Sequence, residues 1–309
     1  MRRARFLFLL LILLVGLSAC TSAEQTNTQS DSTSSTYIEN KGSDTIVNLA
    51  LAWAEAYQAL HPEVRISVTG GGSGTGLAAL ANGTVDIANA SRQIKSEEQQ
   101  LAENAGYKPV EFVIARDAIA VIVHPENPIN RLTLPQISQI FSGKINNWKE
   151  LGGEDRPIVR VSRETNSGTH VYFLESVIRL DSKEDKTIFS ADTLLLPSSE
   201  GIIAEVSDNP NAIGYDGLGY VTDDVKVLAV ASKEGAVYIK PSAGTVNNGS
   251  YPIARELYMY TKDTPQGAIL DYLNWVRSSE GQAIVSKLGF VPYKVMENKL
   301  FYYEPPRRN

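Results

Sequence analysis

The stretch GSDTIVNLALAWAEAYQALHPEVRISVTGGGSGTG, residues 42–76, contains one full period of the pattern that decides the fold. Ser43 and Asp44 are helix-capping residue types, because a short side-chain oxygen can take up an unpaired N–H of the first turn. After them Ile46, Leu49, Ala50, Trp53, Ala54, Tyr57 and Leu60 keep helical spacing up to His61-Pro62. Val64 to Thr69 alternates as a strand does, and Gly70 to Gly76 turns the chain into a short helix through Leu77, Leu80 and Ala81. The same alternation continues. Strands are expected at Val85–Ala88, Val110–Ala115, Ala118–His124, Ile158–Val161, Ala212–Tyr215 and Leu257–Tyr260. Helices are expected at Lys95–Ala105, Leu134–Phe141, Ser167–Ile178, Ser199–Ser207, Gln266–Val276 and Gly281–Leu288. Strands alternating with helices predict an α/β fold with largely parallel sheets.

The 309 residues carry a formal net charge of −6 and one cysteine. The lone cysteine excludes a disulfide framework and a cysteine-rich metal site, and His61, His124 and His170 are too scattered for a histidine metal motif. The acidic balance argues against nucleic acid as a partner. At the start of the chain Arg2, Arg3 and Arg5 precede an apolar run, Phe6 to Leu17, too short for a comfortable membrane span and the right length for a signal peptide. It ends in Leu17-Ser18-Ala19-Cys20, which resembles a bacterial lipobox. Residues 1–19 are therefore expected to be removed and Cys20 lipidated, holding the protein at a membrane without spanning it. That cleavage removes three arginines and takes the net charge from −6 to −9. Residues 20–36 are expected to be a flexible polar tether. The frayed end is expected at Pro305 to Asn309.

Three helix starts share one chemistry: Gly42-Ser43-Asp44-Thr45, Ser73-Gly74-Thr75-Gly76 and Ser167-Gly168-Thr169. At a helix N-terminus the first N–H groups are unpaired and the dipole is positive, so small hydroxyl residues and glycine there suit an anion. Each serine or threonine could instead simply cap its own helix. Arg92, after Ala88-Asn89-Ala90-Ser91, and Arg163, four residues before Ser167, could grip a tetrahedral oxyanion with paired charge-assisted bonds, or form structural salt bridges, Arg163 for example with Glu164 or Asp155. Enzyme motifs fail: Thr75 stands where G-x-G-x-x-G and G-x-S-x-G each need a glycine, and Gly143-Lys144-Ile145 is no phosphate-loop ending.

These segments resemble the phosphate-binding lipoproteins of high-affinity phosphate ABC importers, the PstS type. The matching stretches are Gly42 to Thr45, Gly70 to Gly76, Val85 to Arg92, Arg163 to Thr169, Ile213 to Tyr220 and Glu280 to Pro292. The resemblance covers roughly Tyr37 to Tyr293. It implies a two-lobe fold of the periplasmic-binding-protein type, each lobe a mostly parallel sheet flanked by helices, joined by two strand crossings. Lobe one would be 37–115 plus 253–309 and lobe two 116–252. Inorganic phosphate would sit between the lobes on Thr45, Ile46, Ser73, Arg163, Ser167, Gly168 and Thr169. Ser43 and Thr75 join this set on spacing, and Ser91 and Arg92 as the end of a strand beside it. In the best-known branch a carboxylate that accepts the phosphate proton follows the serine matching Ser91. Here that position is Arg92, as in other branches, so that route to phosphate-over-sulfate selectivity does not carry over; Asp44 and Glu164 are possible substitutes.

The expectation is an extracytoplasmic, lipid-anchored, monomeric receptor that delivers phosphate to the transmembrane subunits of an ABC permease, with no cofactor, no metal and no catalysis. The alternatives are a receptor for sulfate or molybdate, or a phosphate sensor that signals without feeding transport. A phosphate-ester hydrolase would have to use His170, the one histidine near these loops, which reads better as a supporting residue.

Overall fold

The structure is a computed structural model and describes residues 35–293. The signal segment, Cys20, the tether to Ser34 and the last residues from 294 lie outside it.

The chain opens with β1 (Thr36–Gly42), α1 (Asp44–Leu60), β2 (Val64–Thr69), α2 (Ser73–Ala81), β3 (Ile87–Ala90) and α3 (Ser96–Asn104). β1 is central here, with β2 and β3 both parallel to it. α1 buries Ile46, Leu49, Ala50, Trp53, Ala54 and Tyr57, the face the spacing predicts. Full burial of each large member contributes about 1.5–3 kcal/mol. The Trp53 indole N–H donates to Gly281 O at 2.8 Å, which fixes the end of the chain over this helix.

β4 (Val110–Val123) runs unbroken for 14 residues where the sequence suggests two strands in near continuity. From Val110 to Ala118 it pairs antiparallel with β11 (Ala254–Thr261), and from Ile119 to Val123 it pairs antiparallel with β8 (Ala212–Gly217). One strand therefore serves both halves of a single sheet path, β2-β1-β3-β11-β4-β8-β6-β7. Its alternate side chains enter different cores: Ala120 and Ile122 pack with Trp53 and Ile202, while Ile119, Val121 and Val123 pack with Phe141, Phe173 and Tyr215. Burial on both faces explains the apolar run.

The second half contains β5 (Arg131–Thr133), α4 (Leu134–Phe141), β6 (Val159–Arg163), α5 (Gly168–Phe173), β7 (Leu194–Leu196), α6 (Ser199–Asp208) and β8. β6 is parallel to β7 and β8. Short pieces β9 (Lys226–Val227), β10 (Ala229–Ala231) and α7 (Ala243–Asn247) lead back to β11. Helices α8 (Gly267–Val276) and α9 (Ser279–Lys287) and strand β12 (Val291–Pro292) return to the first half. Parallel pairing thus holds for the outer strands only. Around β4 and β11 the sheet is antiparallel, because the chain crosses between halves once in each direction. The expected helix Ser167–Ile178 is shorter: α5 ends at Phe173 and a π-helical turn, Leu174–Ile178, follows. Among the described residues no helix is long and apolar enough to cross a membrane.

Candidate functional site

The helix starts meet where the two halves of the sheet face each other. Of the three, only Ser167 caps its own helix, its Oγ accepting from the Thr169 N–H at 3.2 Å. Ser43 stands at the N-cap of α1 but its hydroxyl makes no cap bond. α2 begins at Ser73 itself, with Gly72 before it at φ +89, a conformation that L side chains rarely adopt. Two of the three starts therefore leave their hydroxyls free of capping duty. The Thr45 and Thr169 hydroxyls, from α1 and α5, lie 2.8 Å apart and share a hydrogen bond. Ser73 Oγ accepts from the Ser91 N–H at 3.0 Å and lies 3.3 Å from Ser91 Oγ. A Cβ at Gly168 would stand 2.5 Å from Ser91 Oγ and closer still to Ser73 Oγ, so glycine is the residue that lets α5 approach α2 and β3. Ser73, Ser91, Ser167, Gly168, Thr169, Thr45, Ile46 and Ser43 are all buried.

One backbone and several side-chain hydrogen bonds close the two halves on one another. Asn166 O accepts from the Gly74 N–H at 3.1 Å, and Asn166 Nδ2 donates to Gly71 O at 3.0 Å. Tyr220 OH, in the turn after β8, donates to Asp44 O at 2.7 Å. Asn48 Nδ2 donates to Glu200 Oε1 at 3.2 Å.

Arg163 ends β6 and is 1 % exposed. Its salt-bridge partners are neither Glu164 nor Asp155. Nη2 donates to Asp44 Oδ2 and to Pro197 O, both at 2.7 Å, and Nη1 donates to Ser199 Oγ at 2.9 Å with Asp216 Oδ2 at 3.9 Å. Asp44 Oδ1 in turn accepts from the Gly71 N–H at 2.8 Å. Asp44 thus joins α1, the glycine turn and the arginine of the opposite half. Asp216 is fully buried, and that burial raises its pKa, with Arg163 opposing the rise. His170 is a supporting residue: its Nδ1 donates to Arg163 O at 2.9 Å and the ring stacks on Phe189. Burial lowers its pKa, so the imidazole is held neutral.

Arg92 is engaged elsewhere. Its guanidinium makes a two-pronged pair with Glu98, at 2.7 and 2.6 Å, and Nη1 also donates to Gln93 O. It borders Gly74 at the start of α2 without a bond to the hydroxyl cluster. Thr75 also stands apart: its methyl lies beside Gly71, and it makes no hydrogen bond to Thr45, Ser73, Ser91 or Thr169.

A third arginine, Arg255 on β11, reaches the cluster without any motif announcing it. It donates to Thr169 Oγ1 at 2.9 Å, Thr45 Oγ1 at 3.4 Å, Ser91 O at 3.0 Å and Asp117 Oδ2 at 3.0 Å. The usable signal was a pair of charges at a break between apolar residues, Arg116-Asp117 between Ala115 and Ala118 and Arg255-Glu256 between Ala254 and Leu257. Asp117 and Arg255 are direct register partners in the β4–β11 ladder.

Hydroxyls, helix N-termini and guanidinium groups from both halves meet here, a set of donors whose chemistry suits an anion. Comparisons with known proteins point the same way. A family model described as the PBP superfamily domain matches residues 27–280. The phosphate-binding protein PstS of Pseudomonas aeruginosa is 36% identical over 272 residues, 82% of each chain. That of Bacillus subtilis is 35% identical over 257 residues, 83% of this chain and 80% of the relative. A phosphate ABC transporter substrate-binding protein from Clostridium perfringens, solved with bound phosphate, superposes with a TM-score of 0.75 at 35% identity, over 84% of this chain and all of that one. An ABC-type phosphate transport receptor from Vibrio cholerae gives 0.67 at 28% identity, over 82% of this chain and 99% of the other.

Proposed function

We propose that this chain, which belongs to the PBP superfamily and within it to the PstS-type phosphate-binding proteins, captures inorganic phosphate outside the cytoplasm and delivers it to an ABC importer. The observation that carries this is the meeting of Thr45 and Ser73 from one half with Gly168 and Thr169 from the other, 2.8 Å apart at Thr45–Thr169, with Arg163 bonded to Asp44 next to Thr45. The candidate ligand set is Ser43, Thr45, Ile46, Ser73, Ser91, Arg163, Ser167, Gly168 and Thr169. Arg92 and Thr75 leave it: Arg92 bonds only Gln93 and Glu98 of its own half, whereas Arg163 reaches Asp44 across the halves, and Thr75 lies with its methyl beside Gly71.

The lobes divide at the crossings of β4 and β11, close to 115/116 and 252/253. Where β4 passes from β11 to β8, the Ile119 N–H donates to Ile253 O at 2.9 Å, which suits a two-strand hinge. Phosphate that bonds groups from both lobes favours the closed form through contacts the open form lacks. No covalent step is needed. The receptor works as a monomer, and Cys20, outside the described residues, anchors it by lipid so that capture happens at the membrane carrying the permease. Deleting the gene should abolish high-affinity phosphate uptake, with rescue by the parent and not by Thr169→Val. Unchanged uptake in the deletion strain would instead favour a sensing role. Replacing Cys20 with Ala should release the protein from the membrane fraction; retention there would contradict the anchor.

A further inference from the structure

Arg255 lies outside the residue set implied by the family resemblance, yet it has the densest contacts in the site. It leaves β11 next to the Ile119–Ile253 bond, where the chain crosses between halves. Its side chain is 3 % exposed. One nitrogen, Nη2, bonds Thr45 Oγ1 of the first half, Thr169 Oγ1 of the second and Asp117 Oδ2 of the crossing strand. The other, Nη1, holds the backbone carbonyl of Ser91. The guanidinium carbon lies 5.5 Å from the centre of the Tyr172 ring, and the Tyr172 hydroxyl is itself tied to Ala254 O at 2.8 Å. The Arg255 Nε is a buried donor without a hydrogen-bond partner, as are those of Arg92 and Arg163.

Protein groups alone hold this guanidinium in place. Asp117 holds it from behind, Tyr172 flanks it, and Thr45 and Thr169 are the hydroxyls that the phosphate reading assigns to the anion. We propose, resting on that reading, that Arg255 is a further anion-contacting residue, carried by the hinge, and that its Asp117 pair replaces the selectivity device lost where Arg92 stands in place of a carboxylate. The physical logic is one of charge. Arg163 faces Asp44 and Asp216, and Arg92 pairs with Glu98, so carboxylates outnumber guanidiniums three to two around the hydroxyl cluster. Arg255 supplies one more guanidinium against the anion. Asp117, fully buried beside it, matches that charge and leaves the site no surplus of positive charge, which disfavours an ion that must carry two full charges and favours one that can hold a proton. Burial pushes the Asp117 carboxyl up to about 6, with Arg255 opposing that rise and Asp216 adding to it, so its charge at neutral pH depends on the arginine beside it.

The test is calorimetric titration of the mature protein with phosphate and with sulfate, in the parent and in the double variant Arg255→Gln/Asp117→Asn. The double variant removes both charges at once, leaving net charge unchanged and no buried charge unpaired. The expected result is a phosphate affinity reduced about 10- to 100-fold, the loss of one charge-assisted hydrogen bond. The phosphate-to-sulfate ratio should also fall, with the unfolding temperature measured without ligand nearly unchanged. Parent-like phosphate affinity and the parent's sulfate ratio in the folded double variant would overturn the proposal. Should the double variant not fold, Arg255→Lys decides. It keeps the charge and loses the planar fork, so weaker phosphate binding supports the contact and parent-like binding refutes it. A parent that binds no phosphate at all sinks the function itself, which is a different outcome from either.

Discussion

Thr169 shows best what single residues do here. Its hydroxyl meets Thr45, receives Arg255 and sits at the start of α5, whereas its carbon skeleton is ordinary packing. Thr169→Val should therefore weaken phosphate binding about 10- to 100-fold, as expected when a hydrogen bond to a charged group is lost, and leave the unfolding temperature within a few degrees. Arg163→Ala should behave differently. It strands Asp44 and the fully buried Asp216, so stability should fall by about 3 kcal/mol or more along with affinity, read by denaturant unfolding without ligand. His170 provides a pH test. Its pKa is lowered in the fold, so the unfolded chain takes up the proton first as pH falls below about 6.5. The stability it contributes is present above that pH and lost below it, and His170→Gln should flatten the acid side of the stability–pH curve. An unchanged curve would place the acid loss elsewhere. At this scale the sequence disclosed the hydroxyl and glycine positions, because their residue types are unusual at helix starts. It concealed that Asp44 pairs with Arg163 across 119 positions and Asp117 with Arg255 across 138, since pairings between distant residues leave no local pattern.

Elements were legible in proportion to their periodicity. α1 and α4 follow from apolar spacing and from their stops, and α4 begins and ends at the residues the sequence suggests. The single strand β4 and the antiparallel centre of the sheet were not legible, because a run buried on both faces looks alike whether it belongs to one strand or two and whichever way its neighbours run. The short pieces β5, β10 and α7 carry too few residues to show a period. The approach of α5 to α2 and β3 gives the element-scale prediction. Gly168 is in the first turn of α5 and its backbone is not in a left-handed conformation, so alanine is acceptable there to the helix itself. Its Cβ would nevertheless collide with Ser73 and Ser91 of the opposite half. Gly168→Ala should therefore leave stability without ligand unchanged or slightly raised while weakening phosphate binding at least tenfold. Equal affinity would mean that the two halves need not come this close.

Across the whole molecule, an acidic chain binds an anion by local means. The net charge of −6 acts over distances that salt screens within about 8–10 Å, whereas the site consists of buried hydroxyls, helix starts and arginines already matched by carboxylates. Phosphate affinity should accordingly change only about two- to threefold between low and physiological salt, since the pairs that matter are buried. A steep salt dependence would point to surface capture instead. The central claim is that closure of the two halves around inorganic phosphate is what this fold does. Isothermal titration of the mature protein with phosphate, repeated with sulfate at the same ionic strength, tests it most directly. The structure predicts one phosphate bound per chain and at least a tenfold weaker response to sulfate; no heat with phosphate, or sulfate bound as tightly, would contradict it.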